Sequence, residues 1–163
     1  MNIIFLDVDG VLNSLPYFEN MASKNEFCEL NNDNVSILAK IYHQNDAKIV
    51  LSSTWRFLKD KTGHAGDMYS YLIQTLSEYN MQIISITPII SANRPKEIKA
   101  WLDNNNIYKV INYIIIDDDF SKSHYDKYGL GDKLIQTKYF CHDLSEGGLQ
   151  EKHIKQAKEL FQN

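Results

Sequence analysis

Five short apolar runs separated by longer amphipathic segments predict an α/β protein, a parallel five-stranded sheet flanked by helices. Two further observations support that class. The runs at 3–8, 48–53 and 113–118 are nearly continuous in β-branched or large apolar residues, as strands covered on both faces must be. Three of the five runs also stop at polar clusters, Asp7-Val8-Asp9-Gly10, Ser52-Ser53 and Asp117-Asp118-Asp119, which parallel strands deliver to one edge of a sheet.

Taken in order, IIFLDV (3–8) is the first strand, and the polar, aromatic-spiked stretch 14–30 after it reads as a loop. NNDNVSILAKIYHQN (31–45) follows as a helix, with Asn and Asp at its cap and Val35, Leu38, Ile41 and Tyr42 near helical spacing. KIVLSS (48–53) is the second strand, 67–80 a helix opening on Asp67, and QIISIT (82–87) the third strand. RPKEIKAWLDNNN (94–106) places Pro95 at a first helical position and Ile98, Trp101 and Leu102 on one face. YIIIDD (113–118) is the fourth strand, 119–132 a second loop, KLIQT (133–137) the fifth strand and 149–162 a closing amphipathic helix. With no internal repeat and no low-complexity linker, the expectation is one domain over 1–163.

Composition narrows the function classes. At 44% hydrophobic and 23% charged residues the chain has a globular balance, and no apolar run nears the roughly 20 residues of a membrane span. The opening MNIIFLDVDG has no basic leader or small-residue cleavage site, so a cytoplasmic location is expected. Cys28 and Cys141 have no metal-like spacing and read as core or loop residues of a reducing compartment. A net charge of −4 lacks the footprint of a non-specific nucleic-acid binder, yet leaves room for an enzyme that handles one nucleic-acid end. Nothing calls for an obligate protein partner.

Seven polar side chains meeting at one sheet edge, five of them acidic, repel one another unless a cation sits among them. Oxygen donors of this kind suit a hard ion such as Mg²⁺. Asp7 is placed to attack phosphorus, and Asp9, two residues on along an extended chain, points to the same side as a general acid. Gly10 permits a tight turn that presents backbone N–H groups to phosphate oxygens. Ser52 offers a hydroxyl to a transferring phosphoryl group, with Ser53 beside it, and Arg94 or Lys96 supplies the positive charge.

With those residues in place, the chain resembles the haloacid dehalogenase (HAD) superfamily, whose four motifs occur in order. FLDVDGVL matches the nucleophile motif, KIVLSS the second and YIIIDDD the fourth; RPKEIKAWL resembles the third, although the family usually has Lys where Arg94 stands. SSTWR, the helix at 94–106 and GGL (147–149) are similar to the small HAD domain of Swiss Army Knife RNA-repair proteins. The resemblance implies a Rossmann-like fold and a Mg²⁺-dependent phosphatase. In that reading Asp7 is the nucleophile and Asp9 the acid/base, while Ser52 and Arg94 bind phosphate. Asp7, Asp9, Asp117 and Asp118 are its metal-site carboxylates, and Asp119 binds metal or caps the loop. Residues 10–51, 42 in number, leave no room for a cap domain. The site should therefore be open, with loops 14–30 and 56–67 supplying specificity for a phosphorylated small molecule or nucleic-acid end.

Trp55 and Arg56 admit two readings: a base-stacking indole and a phosphate-binding guanidinium, or a core aromatic and an internal ion pair. His64, His124 and His142 read as surface or loop residues, and Tyr108, Tyr113, Tyr125, Tyr128 and Tyr139 as packing residues. A phosphorylation-receiver domain would need an aspartate after the third strand, where this chain has SITP. The alternative that survives is a non-catalytic or regulatory HAD-like phosphate-binding module.

Overall fold

The computed structural model describes residues 1–104 and 106–162; Asn105, inside the helix expected over 94–106, and Asn163 lie outside the described residues. Five strands form one sheet: β1 (Asn2–Leu6), β2 (Ala47–Leu51), β3 (Ile83–Ile86), β4 (Asn112–Asp117) and β5 (Leu134–Gln136). Their order is β3-β2-β1-β4-β5 and every pair is parallel. The most continuously apolar run thus becomes the central strand. Helix α1 (Leu15–Ser23) follows β1, then α2 (Asn32–Gln44), α3 (His64–Glu78), α4 (Arg94–Asn104), α5 (Lys122–Asp126) and α6 (Glu151–Gln162).

The two faces of the sheet carry separate cores because strand side chains alternate. Ile4, Leu6, Ile49, Leu51, Ile114 and Ile116 pack with Leu38 and Ile41 of α2, Leu72 and Leu76 of α3 and Ala157 of α6. Ile3, Phe5, Val50 and Ile115 pack with Ile98 and Trp101 of α4 and with Tyr125 of α5. Phe5 meets the Trp101 ring edge-on at 5.3 Å, a preferred aromatic geometry. The expected helix at 31–45 begins as its sequence indicates, with the Asn31 side chain accepting from the Asp33 N–H.

Two expected loops contain helices. Within 14–30, α1 buries only Pro16 and Tyr17, too few apolar positions to show a period, and Pro16 sits in its first turn. Tyr17 donates its hydroxyl to Leu30 O at 2.9 Å, tying the helix back to the chain ahead of α2. Within 119–132, α5 is five residues long and held by one fully buried side chain, Tyr125. Short helices of this kind depend on tertiary packing rather than local pattern. Among the described residues no helix is long and apolar enough to cross a membrane.

Candidate active site

Strand register assembles the site. Leu6 pairs with Leu51 on one side and Ile116 on the other, so the next residues, Asp7, Ser52 and Asp117, stand at one level at the ends of three adjacent strands. Backbone bonds from Ser52 N to Leu6 O (2.9 Å) and from Asp7 N to Ile116 O (3.1 Å) extend the ladder one step past the strands. Chain positions 110 residues apart are thereby brought side by side at the carboxyl edge, where ligands of open α/β sheets bind.

Asp7 is buried; its Oδ1 accepts from Val8 N at 2.8 Å and its Oδ2 is ion-paired with Arg94. Arg94 also reaches Asp117 Oδ2 at 2.8 Å, and its guanidinium lies over the Phe120 ring. Asp117 is fully buried and fully engaged. Its Oδ1 accepts from Asp119 N and Phe120 N, and its Oδ2 takes the Tyr125 hydroxyl (2.5 Å) as well as Arg94. Those four donors use the capacity of a carboxylate. Asp118 is different: among the described residues its carboxylate has no hydrogen-bond or ion-pair partner. Ligand oxygens of Asp7, Asp117 and Asp118 all lie within 4.8 Å of one another.

Three carboxylates around one guanidinium leave negative charge uncompensated. Burial raises Asp118 to about 7, and the Asp7, Asp117 and Asp119 carboxylates add to the rise. Burial likewise raises Asp7 to about 6, against the opposing pull of Arg94. The donor set is all oxygen and the free capacity sits on Asp118 beside Asp7. These residues therefore fit a hard divalent cation such as Mg²⁺.

Asp9 lies outside that cluster. It is exposed, and both its oxygens are held: Oδ2 by the Trp55 indole N–H at 2.9 Å, Oδ1 by Asn13 Nδ2 at 3.0 Å. Asn13 Oδ1 in turn accepts from Gly10 N at 2.9 Å, so that N–H is not turned to a phosphate as its position in the turn suggested. Gly10 matters for another reason. Its φ is +70°, and a Cβ there would stand 2.1 Å from Asp118 Cγ, so glycine admits both the turn and the close approach of the carboxylate.

The remaining expected residues separate into those the fold brings to Asp7 and those it does not. Ser53 stands close to Asp7 and accepts from Trp55 N, whereas Ser52 is fully buried and its Oγ has no partner among the described residues. Arg94, not Lys96, reaches the aspartates; Lys96 is exposed on α4. Trp55 is buried against the larger core and spends its N–H on Asp9, so it is no stacking surface. Arg56 faces inward, donating to Ser52 O and Ser53 O at 2.8 Å and pairing with buried Glu97 at 2.7 Å. Both side chains are turned inward, the second of the two readings that the sequence left open. Both lie in the 3-10 turn Thr54–Leu58, which folds their side chains under the site.

A cavity of about 530 Å³ opens over the cluster, lined by Asp7, Asp9, Thr54, Arg94, Asp118, Asp119, Tyr139 and Phe140. Asp119 is exposed in its wall. The expected specificity loops contribute one residue boundary at most: Thr54 comes from just before 56–67, and 14–30 is absent from the lining. The aromatic wall comes instead from Tyr139 and Phe140, past β5. Tyr125 and Asn13 are further residues that the sequence pattern did not single out for the site. Nothing local distinguishes Tyr125 from the chain's other tyrosines; an Asn four residues after Asp9 was the one available signal for Asn13.

A family model described as the HAD domain in Swiss Army Knife RNA repair proteins matches residues 3–154. No curated protein and no solved structure matches the chain.

Proposed function

Because the chain belongs to the family of HAD domains found in Swiss Army Knife RNA repair proteins, we propose that it is a phosphomonoester hydrolase working through an aspartyl-phosphate. The observation that carries the reading is the pairing of two unlike carboxylates at one sheet edge: buried Asp7 against Arg94, and exposed Asp9 held by Trp55 and Asn13. Their environments suit two different tasks.

Asp7 attacks phosphorus, forming an O–P bond as the ester O–P bond breaks. Asp9 gives its proton to the departing alkoxide. Asp9 then takes a proton from water as the water oxygen attacks the aspartyl-phosphate, releasing inorganic phosphate and restoring the Asp7 carboxylate. Arg94 supports the phosphoryl oxygens with the guanidinium N–H groups that its aspartate partners leave over. Ser53, beside Asp7, and Thr54, in the cavity wall, offer further donors. Mg²⁺, held by Asp7 and Asp118, would neutralise charge on the transferring phosphoryl group. Asp117, in the same oxygen cluster, also orients Arg94 and would add a third carboxylate to the metal site.

A cavity without a cap domain over it, and a family named for RNA repair, favour a nucleotide or nucleic-acid end over a sugar phosphate as substrate. The cytoplasm is the compartment this reading assigns. Phosphate release from mononucleotides, 3′- and 5′-phosphorylated oligonucleotides and sugar phosphates is the direct test. Wild type should release phosphate with Mg²⁺ and stop on chelation, and Asp7→Asn should be inactive, an amide being no nucleophile toward phosphorus. No release from any of these substrates would leave the binding-module alternative.

A further inference from the structure

Tyr139, Phe140 and Asp118 line two neighbouring depressions. One is the cavity over Asp7 and Asp9; the other, about 490 Å³, is lined by Asp118, Gln136, Thr137, Lys138, Tyr139 and Phe140. Phe140 is 78% exposed, while Tyr139 is half-buried and meets it edge-on with ring centroids 4.9 Å apart. The backbone beneath them is pinned. Thr137 N donates to Asp117 O, Leu15 N to Tyr139 O, and Gly148 N to Lys138 O, each at 3.0 Å. The aromatic pair therefore stands on a fixed support next to the reacting groups, and burial, with the Asp9 and Asp118 carboxylates adding to it, raises the Tyr139 phenol.

A second feature of this depression also points to a ligand. Thr137 is 4% exposed, lines the depression, and its Oγ1 has no hydrogen-bond partner among the described residues. Buried hydroxyls are ordinarily satisfied, so this one has a hydrogen bond left to offer a polar group that enters the depression. Gln136 adds an amide with both donor and acceptor capacity. A planar apolar surface beside a few convergent polar groups is the composition of a site for a heterocycle.

Resting on the reading of the Asp7 centre as the phosphate site, we propose that the Tyr139–Phe140 wall and the Thr137 depression form the leaving-group subsite, and that it takes the base of a nucleotide. The phosphate sits at Asp7 and Arg94, and the base lies on Phe140 with its polar edge toward Thr137 and Gln136. Every base offers a π-face, so the contact selects nucleotides as a class over phosphates of small non-planar alcohols.

The test compares adenosine 3′- and 5′-monophosphates with glycerol phosphate on wild type, Phe140→Ala, Phe140→Trp and Thr137→Val. Loss of one stacked base should lower the preference for nucleotide, read as the ratio of kcat/KM values, by about five- to a hundredfold in Phe140→Ala. The effect should fall on KM, and Phe140→Trp should retain the preference. Thr137→Val should lower it by a smaller factor. Calorimetric titration with each nucleotide reads binding without turnover, which keeps the two proposals apart. A protein that hydrolyses nothing but binds nucleotide, more weakly as Phe140→Ala, loses the phosphatase reading and keeps the subsite. Unchanged nucleotide preference and unchanged binding in Phe140→Ala would overturn the subsite, whatever the activity.

Discussion

Removing the Arg56 guanidinium separates a structural role from a substrate-binding one. The Arg56 and Glu97 side chains are 3% and 1% exposed, and their ion pair is 2.7 Å long. Arg56 also bonds the carbonyls of Ser52 and Ser53, and Glu97 Oε1 accepts from Ile90 N at 2.8 Å. One buried pair thus pins the turn after β2 to the loop after β3. Burial lowers the Arg56 pKa while Glu97 opposes that shift, the pattern of a charge kept only by its partner. Arg56→Met leaves Glu97 buried without its counter-charge and takes a donor from the Ser52 and Ser53 carbonyls, of which Ser53 O keeps the Arg56 backbone N–H, a loss of about 3–5 kcal/mol for breaking such a pair. In a domain of this size each kcal/mol moves Tm by roughly 2–4 °C, so a fall of about 6–20 °C is expected. Arg56→Met with Glu97→Leu should recover much of it, since two apolar residues of similar volume replace a buried pair at little cost. Thermal unfolding monitored by circular dichroism, with KM for a phosphomonoester measured on each variant, provides the assay. If Arg56→Met kept its Tm within about 1 °C and raised KM instead, the internal role would be wrong and a substrate-facing guanidinium right.

Trp55→Phe removes the N–H that holds Asp9 while preserving most of the buried ring. We expect kcat to fall about tenfold or more with KM little changed, since a mispositioned acid/base loses part of a contribution worth roughly 10²–10⁴; steady-state kinetics checks this. Gly10→Ala carries both a positive-φ cost of roughly 1–2 kcal/mol and a clash with Asp118, whereas Gly129→Ala, also at φ +70° but in open space, carries only the first. Mg²⁺ titration should therefore weaken for Gly10→Ala alone, and equal affinities would exclude the close approach to Asp118. His153 accepts from Gln150 N through Nδ1 at 2.9 Å, and burial, with Lys152 adding to it, lowers its pKa to about 4. Its neutral form is the folded one, so the stability it contributes is complete above about pH 6.5 and lost as pH falls toward 4. Between pH 7.5 and 5 wild type should lose more Tm than His153→Gln, and equal losses would mean the imidazole stays unstrained on protonation.

Strand-borne information was legible along the chain because it is carried by local pattern. Apolar runs ending in Asp7-Val8-Asp9, Ser52-Ser53 and Asp117-Asp118 announced both the parallel sheet and the edge where chemistry sits. Arg94 was legible as a cation at a helix start, although only three-dimensional contact with Asp7 and Asp117 separated it from Lys96. Which way a side chain turns after a strand ends is another matter. Past the ladder no period of two holds, so Ser52 and Ser53, neighbours in sequence, differ in whether they reach Asp7. Trp55 and Arg56 had the residue types of ligand contacts, yet the turn Thr54–Leu58 folded both beneath the site, where Asp9 and Glu97 met their polar atoms. Phe140 had the type of a core residue and was left outside. Residue type states what a side chain can do in water or out of it; only the packing of distant segments decides which of the two environments it receives.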